Sequence, residues 1–204
     1  GPSGQFAVKP DPAFRRRLVL IGGGSGITPL HSILQAVLAV EKETHVTLLF
    51  GNQRQRDIIF HDDLRRLAAA HPDRFSLRHV LAEASTEVDA KVGILDQSTI
   101  AQELDRQPAD DGSVHYYLCG PQGMMDGAKV LLLTRGVSAQ RIHEERFATP
   151  HLENRLRVSS EQVVELSHQG KRNVVRVQPD ETVLEAGLRS GMDLPFSCTM
   201  GGCG

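Results

Sequence analysis

Five small residues in a row, Gly22-Gly23-Gly24-Ser25-Gly26, separate a short apolar run, Leu18 to Ile21, from an amphipathic segment opened by Thr28-Pro29. Leu30, Ile33, Leu34, Val37 and Leu38 recur at i, i+3, i+4, i+7 and i+8, which is one face of an α-helix. Pro29 suits the first helical turn, where a missing N–H costs nothing. The unit is therefore strand, glycine turn, helix. Such a helix start offers free N–H groups and the positive end of the dipole, and together these hold an anion. The spacing departs from the dinucleotide fingerprint G-x-G-x-x-G, because Pro29 stands at the last position. Taken alone, the turn is equally a tight strand-to-helix connection.

The following residues repeat the alternation. Strands are expected near 18–21, 45–50, 75–81, 114–119 and 141–146, each an apolar or β-branched run bounded by turn residues. Helices are expected over 61–70 with Leu64, Leu67 and Ala68 inward, after Asp96 as N-cap with Ile100 and Leu104 on one face, and over Met124 to Leu132. Arg135 fits the last turn of that helix and Gly136 the position after it. Residues 83–92 read as loop. This order predicts an α/β domain, a doubly wound parallel sheet over residues 17–147.

The texture changes after a polar linker at 148–160. Val163–Leu166 and Val174–Val177 flank His168-Gln169-Gly170-Lys171, a hairpin signature. Thr182-Val183-Leu184-Glu185 is a capping box that opens a short helix, with Leu184 and Leu188 expected on its buried face. Cys198 and Cys203 follow, four residues between them. A chain of 204 residues has room for one full domain and part of another.

Net charge is −2 and the pI is near 6.5, so no basic surface argues for nucleic acid. No apolar run is long enough to span a bilayer, and three cysteines do not make a secreted disulfide framework. A reduced, cytoplasmic setting is expected. The histidines lack H-x-x-x-H and H-E-x-x-H spacing, so no zinc site is assigned. Asp62-Asp63 and Asp110-Asp111 read as helix-start and loop charges.

Three motifs in order carry a resemblance. Gly22 to Pro29, Cys119-Gly120-Pro121 with Met124, and Glu145-Arg146-Phe147 are similar to the nucleotide-domain motifs of the ferredoxin–NADP reductase superfamily. Gly51-Asn52, Ile58-Ile59-Phe60 and Ile142 to Phe147 bring it nearer to one branch, the flavin and iron–sulfur reductases of oxygenases such as phenylacetyl-CoA epoxidase. Pro2, Gly4 and Phe6 match the stretch that closes the superfamily's flavin barrel, although a leading Gly-Pro is also a common cloning remnant. Residues 160–204 resemble the β-grasp fold of plant-type ferredoxins, whose cluster pattern begins C-x₄-C.

The resemblance implies that Gly22, Gly24, Ser25, Gly26, Thr28 and Pro29 hold the pyrophosphate and adjoining ribose. On that basis a valine at Gly26 is expected to cost nucleotide and spare the fold. Cys119, Gly120, Pro121 and Met124 would flank the nicotinamide, with Glu145 and Phe147 on the flavin side. No nucleophilic role for Cys119 is implied. Cys198 and Cys203 would ligate a [2Fe–2S] cluster. Asn52 belongs to the nucleotide site. Arg54 and Arg56 either pair with the 2′-phosphate of NADPH or are solvated loop charges. Glu83 could instead accept from a ribose hydroxyl, which favours NADH. The choice stays open, with a lean to NADPH from the branch resemblance.

The implied function is a reductase passing electrons from NAD(P)H through FAD and the cluster to an oxygenase component. A reductase for another aromatic-ring or steroid hydroxylase, and a nucleotide-binding fragment without catalysis, are the alternatives. Residues 1–16 are expected to be the end of the flavin barrel and its connector, and 161–204 the first part of the ferredoxin domain. With two of four cysteines, no stable cluster is expected in these 204 residues. Burial of Val164, Leu166, Val175, Val177, Leu184 and Leu188 is expected to need later strands of the β-grasp, leaving residues 160–204 loosely ordered or packed elsewhere.

Overall fold

The computed structural model of the protein describes residues 6–147, 160–168, 170–179 and 181–194. The chain divides into two compact units, 1–146 and 147–204. Among the described residues no helix is long and apolar enough to cross a membrane.

In the first unit six parallel strands lie in the order β4-β3-β2-β1-β5-β6. They are β1 (Arg17–Gly23), β2 (His45–Asn52), β3 (Phe75–Leu81), β4 (Ala90–Val92), β5 (Val114–Cys119) and β6 (Ile142–Glu145). The helices are α1 (Ile27–Val40), α2 (His61–Ala70), α3 (Gln97–Asp105) and α4 (Gln122–Thr134). They divide between the faces. Leu18, Leu20, Leu48, Phe50 and Tyr117 point to α1 and α2, while Val19, Ile21, Leu49 and Leu118 point to α3 and α4. Both faces are covered, so β1 is buried from Leu18 onward and reads as an unbroken apolar run.

The order reverses between β1 and β5. Strands β2, β3 and β4 succeed one another on one side of β1, and β5 and β6 lie on the other. Open α/β sheets bind ligands at the carboxyl edge beside such a reversal. There the turns after β1 and β5 stand next to each other, since Gly22 is the register partner of Cys119.

The expected helices form, with α1 starting one residue earlier, at Ile27. Asp96 accepts a hydrogen bond from the Thr99 N–H and caps α3. Residues 83–92 are not all loop: Ala90–Val92 add a fourth strand beside β3. Three residues at a sheet edge, with Lys91 at their centre, are too few to show alternation. The fifth expected strand is shorter than 141–146, because Arg141 ends a 3₁₀ turn.

In the second unit β7 (Gln162–His168) and β8 (Lys171–Val177) form the expected antiparallel hairpin, followed by α5 (Val183–Arg189). The Thr182 hydroxyl accepts from the Glu185 N–H, and the Glu185 carboxylate accepts from the Thr182 N–H, closing the capping box. Val175, Val177 and Ala186 are buried together, with Val164 and Leu166 packed on them. Within the described residues the two buried β8 valines thus find their cover in the hairpin and α5. The expected buried face is corrected: Leu184 and Leu188 are half-buried, and Ala186 and Gly187 are the fully buried pair. A Cβ on Gly187 would lie 2.5 Å from Leu194 Cδ1 and 3.2 Å from Leu166 Cδ1, so a side chain there would push the end of Leu194 aside.

Candidate functional site: the crevice between β1 and β5

The turn after β1 is a single 3₁₀ turn over Gly24–Gly26 that runs directly into α1. Gly24 has φ +52°, a left-handed conformation that favours glycine. The Thr28 hydroxyl donates to the Ser25 carbonyl at 3.0 Å and steadies the turn. Thr28 is exposed, and Gly24, Ser25 and Pro29 are half-buried.

The turn after β5 locks into it. A Cβ on Gly26 would collide with the carbonyl of Cys119 and come within 2.7 Å of the Gly120 Cα. A Cβ on Gly23 would lie 2.7 Å from Pro121 Cδ and 3.2 Å from the Met124 sulfur. Gly120 has φ +154°, and a Cβ on it would lie 2.8 Å from the Gly23 nitrogen. The expectation that valine at 26 spares the fold is therefore corrected. Its clash falls on the protein's own backbone, so Gly26 joins the two motifs whatever else it does.

Helices α1 and α4 begin at this junction, and their N-termini differ from the others. Neither has a side-chain cap or an acidic residue in its first turn. By contrast α2 has Asp62 and Asp63 there, α3 has the Asp96 cap, and α5 has Thr182 with Glu185. Two uncompensated positive dipole ends thus meet at one crevice, which suits a negatively charged ligand with two phosphates.

Cys119 is fully buried, and burial, with the Glu145 charge second, pushes its thiol up to about 12. It is a neutral thiol at pH 7 and no nucleophile. Glu145 is its register partner across β5 and β6. Phe147, two residues on, is exposed. Met124 is buried under the junction, and Pro121 is exposed.

Farther along the carboxyl edge, Asn52 ends β2. Both polar atoms of its side chain are buried without a hydrogen-bond partner. Two orphaned groups at the mouth of a ligand crevice suit a bound polar molecule. Beyond it lies an open cavity of about 600 Å³ lined by Arg54, Arg56, Ile58, His61, Glu83 and Ser85, among others. Arg54 and Glu83, the two opposing signals for NADPH and NADH, meet there: Arg54 Nε lies 2.8 Å from Glu83 Oε1. Hydrogen bonding from Arg54 lowers the Glu83 carboxyl below its ordinary range. Gln55 ties the same two loops through Glu87 and Ser85, each at 2.5 Å. Sequence alone did not join these loops, because the pairing depends on β2 and β3 ending side by side.

Cys198 and Cys203 lie outside the described residues, as do Pro2 and Gly4. Among the described residues no cluster of three or more His, Cys, Asp or Glu side chains could hold a metal.

Residues 20–130 match the model of the oxidoreductase NAD-binding domain. The chain belongs to that family. Residues 166–204 match a second model, the 2Fe-2S iron-sulfur cluster binding domain. The chain is 33% identical to one of the subunits of the 1,2-phenylacetyl-CoA epoxidase of Escherichia coli K12, over 99% of its own length and 58% of the relative's. It is 34% identical to the ferredoxin reductase component of the 3-ketosteroid-9-alpha-monooxygenase of Mycobacterium tuberculosis, over 100% of its length and 54% of the relative's. The chain thus spans a little over half the length of these relatives. Among solved structures, the flavohem-like FAD/NAD binding domain of the nitric oxide dioxygenase of Vibrio cholerae matches with TM-score 0.56 at 27% identity. That match covers 71% of this chain and 55% of the other. The doubly wound parallel sheet, the NAD-binding assignment and the iron–sulfur domain read from the motifs all agree with these matches.

Proposed function

We propose that this chain is the nucleotide-binding and cluster-bearing part of an oxygenase reductase, taking electrons from NAD(P)H. One observation carries the nucleotide site: the helices that start at the strand-order reversal, α1 and α4, are the two with neither a side-chain cap nor an acidic first turn. The N–H groups of Ser25 and Gly26 and those opening α4 hold the pyrophosphate. Asn52 offers its buried amide to a ribose or its phosphate, and the Arg54–Glu83 loop pair reads the 2′ position. Cys119 and Gly120 form the wall beside the nicotinamide, where a neutral, buried sulfur excludes water without reacting. Glu145 places a carboxylate next to that wall, with Phe147 following. NAD(P)H would supply a hydride there, and a flavin and an iron–sulfur cluster would supply the one-electron chemistry. Cys198 and Cys203 would be two of that cluster's ligands.

The finer reading is a reductase for a phenylacetyl-CoA epoxidase, supported by the similarity to a component of that enzyme across nearly the whole chain. The comparable similarity to a 3-ketosteroid monooxygenase reductase component supports a steroid hydroxylase as the second reading. The test uses the natural protein at its full length, mixed with each oxygenase component under anaerobic and then aerobic conditions. Coupled NAD(P)H oxidation with the epoxidase alone supports the first reading, and with the steroid oxygenase alone the second. Failure of NAD(P)H to reduce either a flavin or a [2Fe–2S] centre refutes the reductase assignment.

A further inference from the structure

The α1 side of the β5–β6 edge carries a second cluster, one step below the crevice. His115 on β5 and His143 on β6 lie side by side. Nδ1 of His115 is 3.1 Å from Nε2 of His143, and the rings stack at 5.4 Å and 16°. His143 also stacks on Tyr117, its register partner, with centroids 4.5 Å apart. Phe6 closes the row edge-on to Tyr117 at 5.6 Å.

A hydrogen bond between two imidazole nitrogens needs one N–H and one lone pair. The pair holds with no added proton or with one shared between the rings. It cannot hold with two, when N–H would face N–H and charge would face charge. The surroundings oppose even the first proton. Both rings are half-buried, and Arg16 acts on both, with Arg141 also acting on His115. The carboxylates nearby are already engaged: Asp110 by Arg141 at 2.7 Å, and Glu41 by Arg16 at 2.6 Å. Tyr117 is no counter-charge, since burial raises its hydroxyl above the ordinary range.

The strand held by this pair has little else on that face. β6 is four residues long and lies at the sheet edge, bonded to β5 alone. On the α4 side Glu144 pairs with Lys129 at 2.5 Å and with Arg146 at 2.6 Å. On the α1 side His143 is the tie. We propose that His115 and His143 form a proton-sensitive clasp that fixes β6 to the sheet while neutral and releases it in acid. Both rings titrate below the ordinary histidine value because of burial and the arginines. The released strand therefore binds more protons than the docked one, and the clasp is complete above about pH 6.5 and weakens below it. Glu145 is carried by the same strand, so release also moves it away from Cys119. That consequence rests on the function proposed above; the clasp itself does not.

The test is residue-resolved NMR on the 204-residue chain, because His79 also titrates low and a bulk melt would mix the two. The clasp predicts that imidazole carbon resonances of His115 and His143 titrate in two separate steps, both below pH 6.5. It predicts that amide protection of Ile142 to Glu145, corrected for the intrinsic rate and referred to β1, falls about tenfold or more between pH 7.5 and 5.0, one pKa unit being a factor of ten. In His143→Gln, which keeps a hydrogen-bonding group and loses the charge, that protection should be equal at the two pH values. His115 should then titrate in one step. Should that variant not fold, His115→Gln gives the same readouts on His143. Independent titration of both rings near 6.5, protection of β6 that ignores pH in the parent chain, or pH sensitivity that survives in the variants would each overturn the clasp.

Discussion

The Cα of Gly26 rests against the peptide of Cys119, with no room for a side chain between them. Two motifs far apart in sequence are thereby one rigid junction, and the backbone N–H groups of α1 and α4 are held in fixed relation. Gly26→Val must displace backbone, so it should lower stability by about 3 kcal/mol or more, at the top of the overpacking range. Gly123→Ala is the contrast. That glycine lies in the first turn of α4 with open space around it, and alanine there should stabilise by up to about 1 kcal/mol. Urea unfolding of the two variants measures both effects. Equal stability of Gly26→Val and the parent chain would show that the two turns are not locked.

The Arg54–Glu83 pair is exposed to solvent, so by itself it adds little to stability. Its consequence lies in ligand choice. Replacing Arg54 and Arg56 together by alanine should weaken binding of NADP⁺ about ten- to hundredfold more than that of NAD⁺, the worth of a charge-assisted pair. Glu83→Gln should move the ratio the other way. Calorimetric titration of each variant with both nucleotides decides it, and equal losses for the two would leave the lean to NADPH without support.

His79 sits on β3, buried to 6% exposure, and neither ring nitrogen has a partner. Burial, with the His61 charge second, lowers it to about 4. A histidine whose folded value lies below its unfolded value of about 6.5 favours folding above that pH, and the benefit is lost as pH falls toward 4. The shift corresponds to roughly 3 kcal/mol lost by pH 4 and below. His79→Phe, beside Phe50, should remove most of that acid sensitivity. Stability curves from pH 8 to 4 measure it, and an unchanged slope in the variant would assign the acid loss to other groups.

The parts of the fold that could be read from sequence are those with a local cause. Buried parallel strands appear as apolar runs such as Leu18 to Ile21 because both faces are covered. Asp96 and the Thr182–Glu185 box mark helix starts because their hydrogen bonds close within four residues. What escaped reading depends on contacts between distant segments. Strand β4 is too short for a period. The Gly26–Cys119 contact, the Arg54–Glu83 pair and the His115–His143 stack exist only once β1, β2, β3, β5 and β6 are in register. Glycine-rich motifs name the ligand class, but which glycines face the ligand and which face each other is a matter of packing.

Glu41 ends α1 with its carboxylate fully buried, held by the Arg16 guanidinium at 2.6 and 3.1 Å and by the Thr44 hydroxyl at 2.6 Å. Removing one partner of such a pair leaves a buried charge. Arg16→Ala should therefore cost about 3 kcal/mol or more, and the double variant Arg16→Ala with Glu41→Leu should recover much of it. Thermal unfolding of the single and double variants tests this. Additive losses would mean that the two residues do not act as a pair.

Dinucleotide binding across the β1–β5 junction is read residue by residue in backbone NMR of the 204-residue chain titrated with NAD⁺ and NADP⁺. The predicted result is a cluster of shifted amides at Gly24 to Thr28, Cys119, Gly120 and the first turn of α4, with Asn52 responding as well. That pattern should be absent with adenosine, which lacks the pyrophosphate. No shifts at millimolar nucleotide, or shifts confined to the cavity lined by Lys42, His45, His71 and Arg74 at the opposite end of the sheet, would show that the dinucleotide does not bind at this junction.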